Sequence, residues 1–531
     1  MNENITQNTI PLEKDNLSNN KLEINTRDIV FSIIFAVCSI VMSAFGIFGG
    51  FRAGFTVASI LLLIVITIYF KTKEIKIGLY GSICFILNIG LALNFSITSN
   101  FSVKFFSFFM ILFLSLICFT SLVTKEHTKG DLGILKDIFT PIIEVVVPNL
   151  PKAITSLLAA RKNKILSKIF IGIISAIPVL FVVIPLLMSS DEAFSGMITL
   201  VFENTALLIL KIVLGIIISL FLIAYCFSLK KENFPQTKDF NFKGLESAII
   251  ISFLSVLSIC YLSYLFSQLA YFFSAFSGFL PKDYTFSLAE YARRGFFEMS
   301  IIAAINFIII FAVLLISIKK NQKIHLISRI LCTFISIFTL LIIATAISKM
   351  ILYINNFGMT ELRITTSVFM IFLTVVFITL LIRLYIPKVN VLKTGFIAAA
   401  ILLIILGAVN INSVIAKYNY TAYKNGILTD IDVSTIYRLS DEGVPYLAEL
   451  LNDENEDVVH LAKLNLSYCI QNYYETDYNQ EFNTIEIGKK KYKDIGEFSF
   501  SKNKAYKILD KVLNEYPEIA NYSNEYLENH Q

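Results

Sequence analysis

The 531-residue chain has no tryptophan, only four histidines, and just 16% charged residues. Each shortage excludes something. Without Trp, any interfacial aromatic belt must be built from the 24 Tyr, helped by the 47 Phe. His127, His325, His460 and His530 are scattered without ligand spacing, so no metal centre is expected from them. Cys38, Cys84, Cys118, Cys226, Cys260 and Cys332 fall inside apolar runs, where a thiol behaves as a small hydrophobe. Cys469 alone lies outside them, which leaves no intrachain disulfide framework there. There is no Walker motif, no pairing of carboxylates at metal-site spacing, and no Ser–His or Cys–His pair. Neither a metal nor a cofactor is therefore implied. The net charge of +5 is small for this length, and no nucleic-acid-binding motif accompanies it, so nucleic acid is not an expected partner.

What the chain does have is apolar length. Hydrophobic residues make up 56% of it, gathered in long runs between short charged loops. A helix needs about 20 apolar residues to cross a hydrocarbon core. The runs Ile29–Gly49, Gly54–Phe70, Ile77–Phe95, Val103–Leu122, Ile169–Met188, Leu207–Phe227, Ile249–Phe266, Phe297–Ile316, Ile327–Ile347, Ile364–Ile386 and Thr394–Val409 fit that need. Backbone groups in lipid must be satisfied within the segment, so each run is expected to be helical. The fold class is all-α: a polytopic transmembrane bundle of about eleven spans, with a small, mainly helical, extracytoplasmic C-terminal domain. Ile249–Leu280 is too short for two spans and too long for one. A span followed by an interfacial helix, Ser267–Gly278, is expected there.

Basic residues orient the bundle. One set of loops carries most of the Lys and Arg, while the alternate loops hold only Arg52, Lys104, Lys282, Arg293, Arg294, Lys349 and Arg363. By the positive-inside rule the N-terminus is cytoplasmic in a cell-membrane protein, and an odd number of spans puts the tail outside. The organisation is then a polar N-terminal tail (1–28) without a signal peptide, four spans (29–122), a cytoplasmic loop (123–168), seven further spans (169–411) and a soluble domain (412–531). In that loop Arg161, Lys162, Lys164 and Lys168 alternate with apolar residues, the pattern of an interfacial helix on anionic lipid. A solvated loop that only enforces topology explains the same residues.

In the tail, Asp430–Leu439, Gly443–Leu451 and Asp457–Cys469 have helical spacing and resemble one helical-hairpin repeat. A single repeat cannot bury its own face, so it must pack on the bundle or on the rest of the tail. Thr484–Ile487 reads as a short strand and Asn503–Asn514 as a helix ending before Pro517.

The loops poor in Lys and Arg carry the more distinctive residues. Asp191 and Glu192 follow the fifth span, Glu290, Arg293, Arg294 and Glu298 enter the eighth, and Glu361 and Arg363 enter the tenth. Glu290 with Arg294, and Arg294 with Glu298, are spaced to pair along one helix face. These residues form a candidate ligand or partner site; the alternative is that they are helix-end charges that snorkel to headgroups and brace loops. Asn88 and Asn306 lie inside spans, where such residues commonly hydrogen-bond neighbouring helices.

Three of these stretches carry a resemblance: Asp191 with Phe194; Tyr291-Ala292-Arg293-Arg294-Gly295-Phe296-Phe297-Glu298; and Gly358-Met359-Thr360-Glu361-Leu362-Arg363. They resemble a family of bacterial multi-pass membrane proteins known as a domain of unknown function (numbered 4153 and 4173). Asn412–Asn419, Asp432–Leu447 and Phe498–Ala505 are similar to that family's later segments, although Ile436 and Gly443 depart from its commoner residues and Phe498–Ala505 has Phe where Trp is frequent. The resemblance implies a fold and a recurring motif set, and no activity. Taken together, the residues favour a non-enzymatic envelope protein that binds, senses or assembles with an envelope protein or small ligand. The alternatives are a secondary transporter of a small solute and a membrane-embedded enzyme acting on lipid or cell-wall precursors through Asp191 and Glu298.

Overall fold

The computed structural model describes residues 26–73, 79–123, 146–159, 205–228, 245–277, 296–321, 326–479, 484–490 and 499–523, with isolated positions between 175 and 191. Sixteen α-helices and one hairpin are described. The bundle comprises α1 (Thr26–Val41), α2 (Ala53–Thr72), α3 (Leu79–Ile97), α4 (Phe101–Val123), α5 (Val147–Ala159), α6 (Thr205–Ser228), α7 (Ser247–Ser277), α8 (Phe296–Asn321), α9 (Leu326–Phe357), α10 (Glu361–Tyr385) and α11 (Val391–Ala408). Among the described residues nine helices are long and apolar enough to cross a membrane, and a shorter apolar stretch, Phe101–Ile117, lies within α4. The chain is a multi-pass membrane protein. The expected span Ile169–Met188 falls mostly outside the described residues.

Two expectations change. First, α7 runs unbroken for 31 residues, so Ser267 opens no separate interfacial helix. At 1.5 Å per residue the helix is about 46 Å long, longer than a hydrocarbon core of about 30 Å requires. Second, α1 continues into a π-helical segment, Met42–Ile47, in which Phe48 N–H donates to Ser43 O at 3.0 Å.

The bundle has two apolar cores. One gathers Phe35, Leu63, Phe70, Leu91, Leu114 and Ile223 from the first spans. The other gathers Leu254, Ile310, Ile335, Ile343, Phe377 and Leu380 from α7 to α10. Helix α11 joins them, packing on α3 and α4 on one side and on α10 on the other. Close backbone approach is allowed where side chains are small: a Cβ at Gly215 would sit 2.5 Å from the Ile40 Cα, so α6 lies directly on α1. Asn306 ties the second core together, accepting from Tyr261 Oη at 2.6 Å and donating to Thr339 Oγ1 at 2.9 Å, the inter-helix role expected of it.

One end of the bundle is closed by an acid. Asp28, 2% exposed, pairs with Lys73 Nζ at 2.6 Å and accepts from Tyr69 Oη at 3.3 Å. Helix α5 lies at the same end, where Ser156 and Ser32 hydroxyls are 3.1 Å apart. The opposite end carries the C-terminal domain: α12 (Ile411–Lys424), α13 (Val433–Arg438), α14 (Val444–Glu449), α15 (Glu456–Tyr473), the antiparallel hairpin β1 (Tyr474–Asn479) and β2 (Thr484–Lys490), and α16 (Phe500–Glu515). The helical-hairpin face is buried by the rest of the tail. Leu447, Leu450, Val458, Ala462 and Leu466 pack against Ala505, Leu509 and Val512 of α16.

Leu466 is fully buried at the centre of that face. Leu466→Ala is expected to destabilise the domain by about 2–5 kcal/mol. Faster amide exchange throughout α15 and α16, with the bundle helices unchanged, is the result to look for.

Candidate functional site

Of the residues singled out by the loops, the structure describes Asp191, Glu298, Glu361 and Arg363. Glu192, Glu290, Arg293 and Arg294 lie outside the described residues, as do the basic residues Arg161, Lys162, Lys164 and Lys168. Asp191 is exposed, and Glu298 is exposed in the first turn of α8. Glu361 and Arg363 sit where the C-terminal domain meets the bundle, and a set of polar residues converges around them.

The corner between α9 and α10 is built first. Gly358 takes φ +75°, which suits a residue without Cβ. Thr360 caps α10, its hydroxyl accepting from the Arg363 N–H at 3.4 Å. Arg363 turns back: its Nη1 donates to the Phe357 carbonyl at 2.7 Å and also to that of Gly358, while the guanidinium lies 4.1 Å from the Tyr353 ring centroid. It thus satisfies carbonyls that the end of α9 leaves open, where a cation is also favoured by the helix dipole. Glu361, in the first turn of α10, accepts from Ser102 Oγ of α4 at 2.6 Å.

The C-terminal domain attaches to this corner through Asn419 of α12. Its Oδ1 accepts from Met359 N–H at 2.7 Å and its Nδ2 donates to Met359 O at 2.8 Å, so one side chain satisfies both backbone groups of that residue. A Cβ on Gly358 would come within 2.8 Å of Asn419 Oδ1.

A second attachment forms at the turn between α3 and α4. Glu442 accepts from Ser99 N–H at 3.1 Å and from the Ser99 hydroxyl. Asn100 Nδ2 donates to Asn412 Oδ1 at 2.8 Å, and Asn412 Nδ2 passes the contact on to Leu439 O at 3.3 Å. Asn410, at φ +51° between α11 and α12, accepts from Thr98 Oγ1 at 3.3 Å and donates to Ser501 Oγ of α16 at 3.0 Å. Below it, Asn94 donates to Leu403 O and to Ser107 Oγ, both at 3.0 Å, against Gly407, where a Cβ would lie 2.0 Å from the amide oxygen. Val103, Leu406, Ile411, Ile415, Ala416 and Leu439 form an apolar cluster among these polar contacts.

Charge is concentrated beside the second attachment. Asp441 and Glu442 are both buried, and Arg52, Lys104 and Lys502 are the cations that act on them. Burial pushes the Asp441 carboxyl above its ordinary value, against the hydrogen bond from Tyr473 and the pull of Arg52 and Lys502, with Glu442 adding to the rise. Its Oδ2 has no hydrogen-bond partner among the described residues. Elsewhere on the domain a groove of about 550 Å³ is lined by Tyr423, Lys424, Leu428, Thr429, Asp453, Glu454 and Asn455. Burial raises the Asp453 pKa, but Lys424 at 2.7 Å, the Asn455 N–H at 3.0 Å and Tyr423 at 3.0 Å outweigh it and leave the carboxyl below its usual range. Among the described residues no three His, Cys, Asp or Glu side chains come together as metal ligands.

Loop composition pointed to Glu361 and Arg363 but not to Asp441, Glu442 or the asparagines at 94, 100 and 410. Asn412, Asn419 and Gly358 were marked only by the family resemblance. A family model described as a domain of unknown function (DUF4153) matches residues 30–450. No curated protein and no solved structure matches the chain.

Asn419→Leu leaves the Met359 N–H and C=O without partners, a cost of about 1–3 kcal/mol for each group. Faster amide exchange across α12 and the α9–α10 corner is expected, with α2 and α3 unaffected. Asp441 has a second, pH-dependent signature. Its folded-state pKa lies above the ordinary 3.8, so its contribution to stability is full below 3.8 and is lost as pH rises through the folded value. Asp441→Asn is expected to raise the melting temperature at neutral pH and to flatten the pH dependence over that window.

Proposed function

The chain belongs to the DUF4153 family, and from that premise we propose that it is a non-enzymatic envelope protein whose C-terminal domain is held on the outer face of the membrane bundle to bind a partner or ligand in sensing or assembly. The observation that carries this reading is the docking itself. The domain is not tethered by a loop alone; Asn412 and Glu442 bind it at the α3–α4 turn and Asn419 binds it at the α9–α10 corner. A domain held in this way presents its free surface in one orientation to whatever lies beyond the membrane.

The outward assignment follows from charge. The docked end holds Arg52, Lys104, Lys211, Lys349 and Arg363, while the opposite end holds Arg27, Lys71, Lys73, Lys152, Arg329, Arg383, Lys388 and Lys393 together with the basic loops that flank them. Under the positive-inside rule the docked end faces away from the cytoplasm. The groove at Asp453 is the concave polar surface this orientation offers. With Lys424, Tyr423 and the Asn455 N–H already holding Asp453, and the Asn455 side chain capping α15, Glu454 on the rim remains for a partner.

Sidedness is tested by cysteine labelling. Native Cys469 is buried and its thiol is pushed up to about 12 by burial and by Asp441, so it is a poor reporter. Ile427 is 63% exposed at the mouth of the domain. Ile427→Cys is expected to react with an impermeant maleimide in intact, wall-stripped cells, with Cys469 unreactive until denaturant is added. Labelling of Ile427→Cys only after lysis would place the domain in the cytoplasm and end this reading. The groove is tested separately. Glu454→Lys is expected to accumulate at normal abundance and to fail to complement a deletion phenotype; full complementation would remove the groove from the proposal.

A further inference from the structure

The two asparagines inside spans have opposite surroundings. Asn306 is fully bonded, to Tyr261 and Thr339. Asn88, 1% exposed at the middle of α3, has no hydrogen-bond partner among the described residues for either Nδ2 or Oδ1. A buried carboxamide in hydrocarbon surroundings is costly when both of its polar atoms are unmet. Asn88 could have been glue like Asn306, and it is not.

Its neighbours in depth share the feature. Thr56 of α2 donates to Ala92 O of α3 at 2.7 Å, which aligns the two antiparallel helices. One turn deeper into the bundle, α2 carries Ser59 and α3 carries Asn88. The first span is aligned by Gly46, where a Cβ would meet the Phe55 Cα at 3.2 Å. One turn deeper on that span lies Ser43, and another turn on lies Ser39. Both hydroxyls are buried and without partners among the described residues, and Ser59 Oγ reaches only Met42 Sδ at 3.9 Å. Ser43 also belongs to the π-helical segment, a local widening that recurs at functional sites. Lys211, the base on α6 nearest to this depth, has its Nζ 6.0 Å from the Phe48 ring centroid, toward the docked end.

We infer that the level formed by Ser43, Ser59 and Asn88, with Ser39 one turn further along α1, is an intramembrane binding site for a small uncharged molecule that both donates and accepts hydrogen bonds, water being the smallest member of that class. The carboxamide offers two donors and an acceptor, and each hydroxyl offers one of either kind. Among the described residues of the first three spans no charged side chain stands at this depth to compensate an ion for its lost hydration. The site lies at depth between the first three spans, and it is independent of which face of the membrane the C-terminal domain occupies.

Radiolytic hydroxyl-radical footprinting of the full chain in lipid nanodiscs tests this, because radicals made from bound water oxidise the side chains beside it. Met42, next to Ser59, is the reporter, and Met370, 1% exposed in the second apolar core, is the control. Met42 is expected to be oxidised at least tenfold faster than Met370, and Asn88→Leu is expected to bring it down to the control rate. Ser43→Ala, a milder change, is expected to lower the rate in part and serves if Asn88→Leu fails to insert. Equal rates for Met42 and Met370 in the unaltered chain would overturn the inference. So would a fast Met42 rate that neither substitution changes, since that rate would then come from the lipid-facing side.

Discussion

The double hydrogen bond between the Asn419 carboxamide and the backbone of Met359 is the contact on which the arrangement at this end of the molecule turns. The α9–α10 corner is non-helical backbone beside apolar helices, where an unmatched N–H or C=O is expensive. A side chain with one donor and one acceptor in a single plane meets both needs at once. Asn supplies that from a separate domain, so the corner and the domain stabilise each other. Arg363 then closes the end of α9, and Glu361 ties the start of α10 to Ser102.

The bundle below is assembled by packing more than by polar contact. Lipid tails give helices no hydrophobic reason to associate, so close approach and a few hydrogen bonds decide the interfaces. Gly215 against Ile40 and Gly407 against Asn94 are such approaches, and Asn306 is the hydrogen-bonded counterpart. Helix α11 holds a pivotal place: it connects the two apolar cores, and through Asn410 it leads straight into the docked domain.

Much of this architecture was legible in the chain. Apolar runs give helices because lipid permits little else, and the span ends expected for α2, α3 and α10 lie within about three residues of those observed, whereas α9 runs on past the expected Ile347 to Phe357. The tail helices were visible in the helical spacing over Gly443–Leu451 and Asp457–Cys469, although the buried face of the latter proves to be Val458, Ala462 and Leu466. The hairpin partner Tyr474–Asn479 was not, because its residues are largely polar and lack the alternation of a half-buried strand. The length of α7 was ambiguous for a similar reason: composition does not distinguish one long helix from two short ones. Of the candidate site, Glu361 and Arg363 stood out by charge, whereas nothing in the loop pattern set the buried acids Asp441 and Glu442 apart.

The sequence by itself determined that this chain crosses a membrane many times, which end of the bundle is rich in Lys and Arg, and that a folded tail follows the last span. Those properties depend on transfer free energies summed along contiguous residues, and a linear reading sums them well. Only the tertiary structure decided that Asn100 meets Asn412, that Glu442 meets Ser99, and that Asn306 finds partners among the described residues while Asn88 finds none there. Those outcomes depend on which polar atoms converge from residues hundreds of positions apart, and in a low-dielectric interior a hydrogen bond is made or lost within an ångström of side-chain placement.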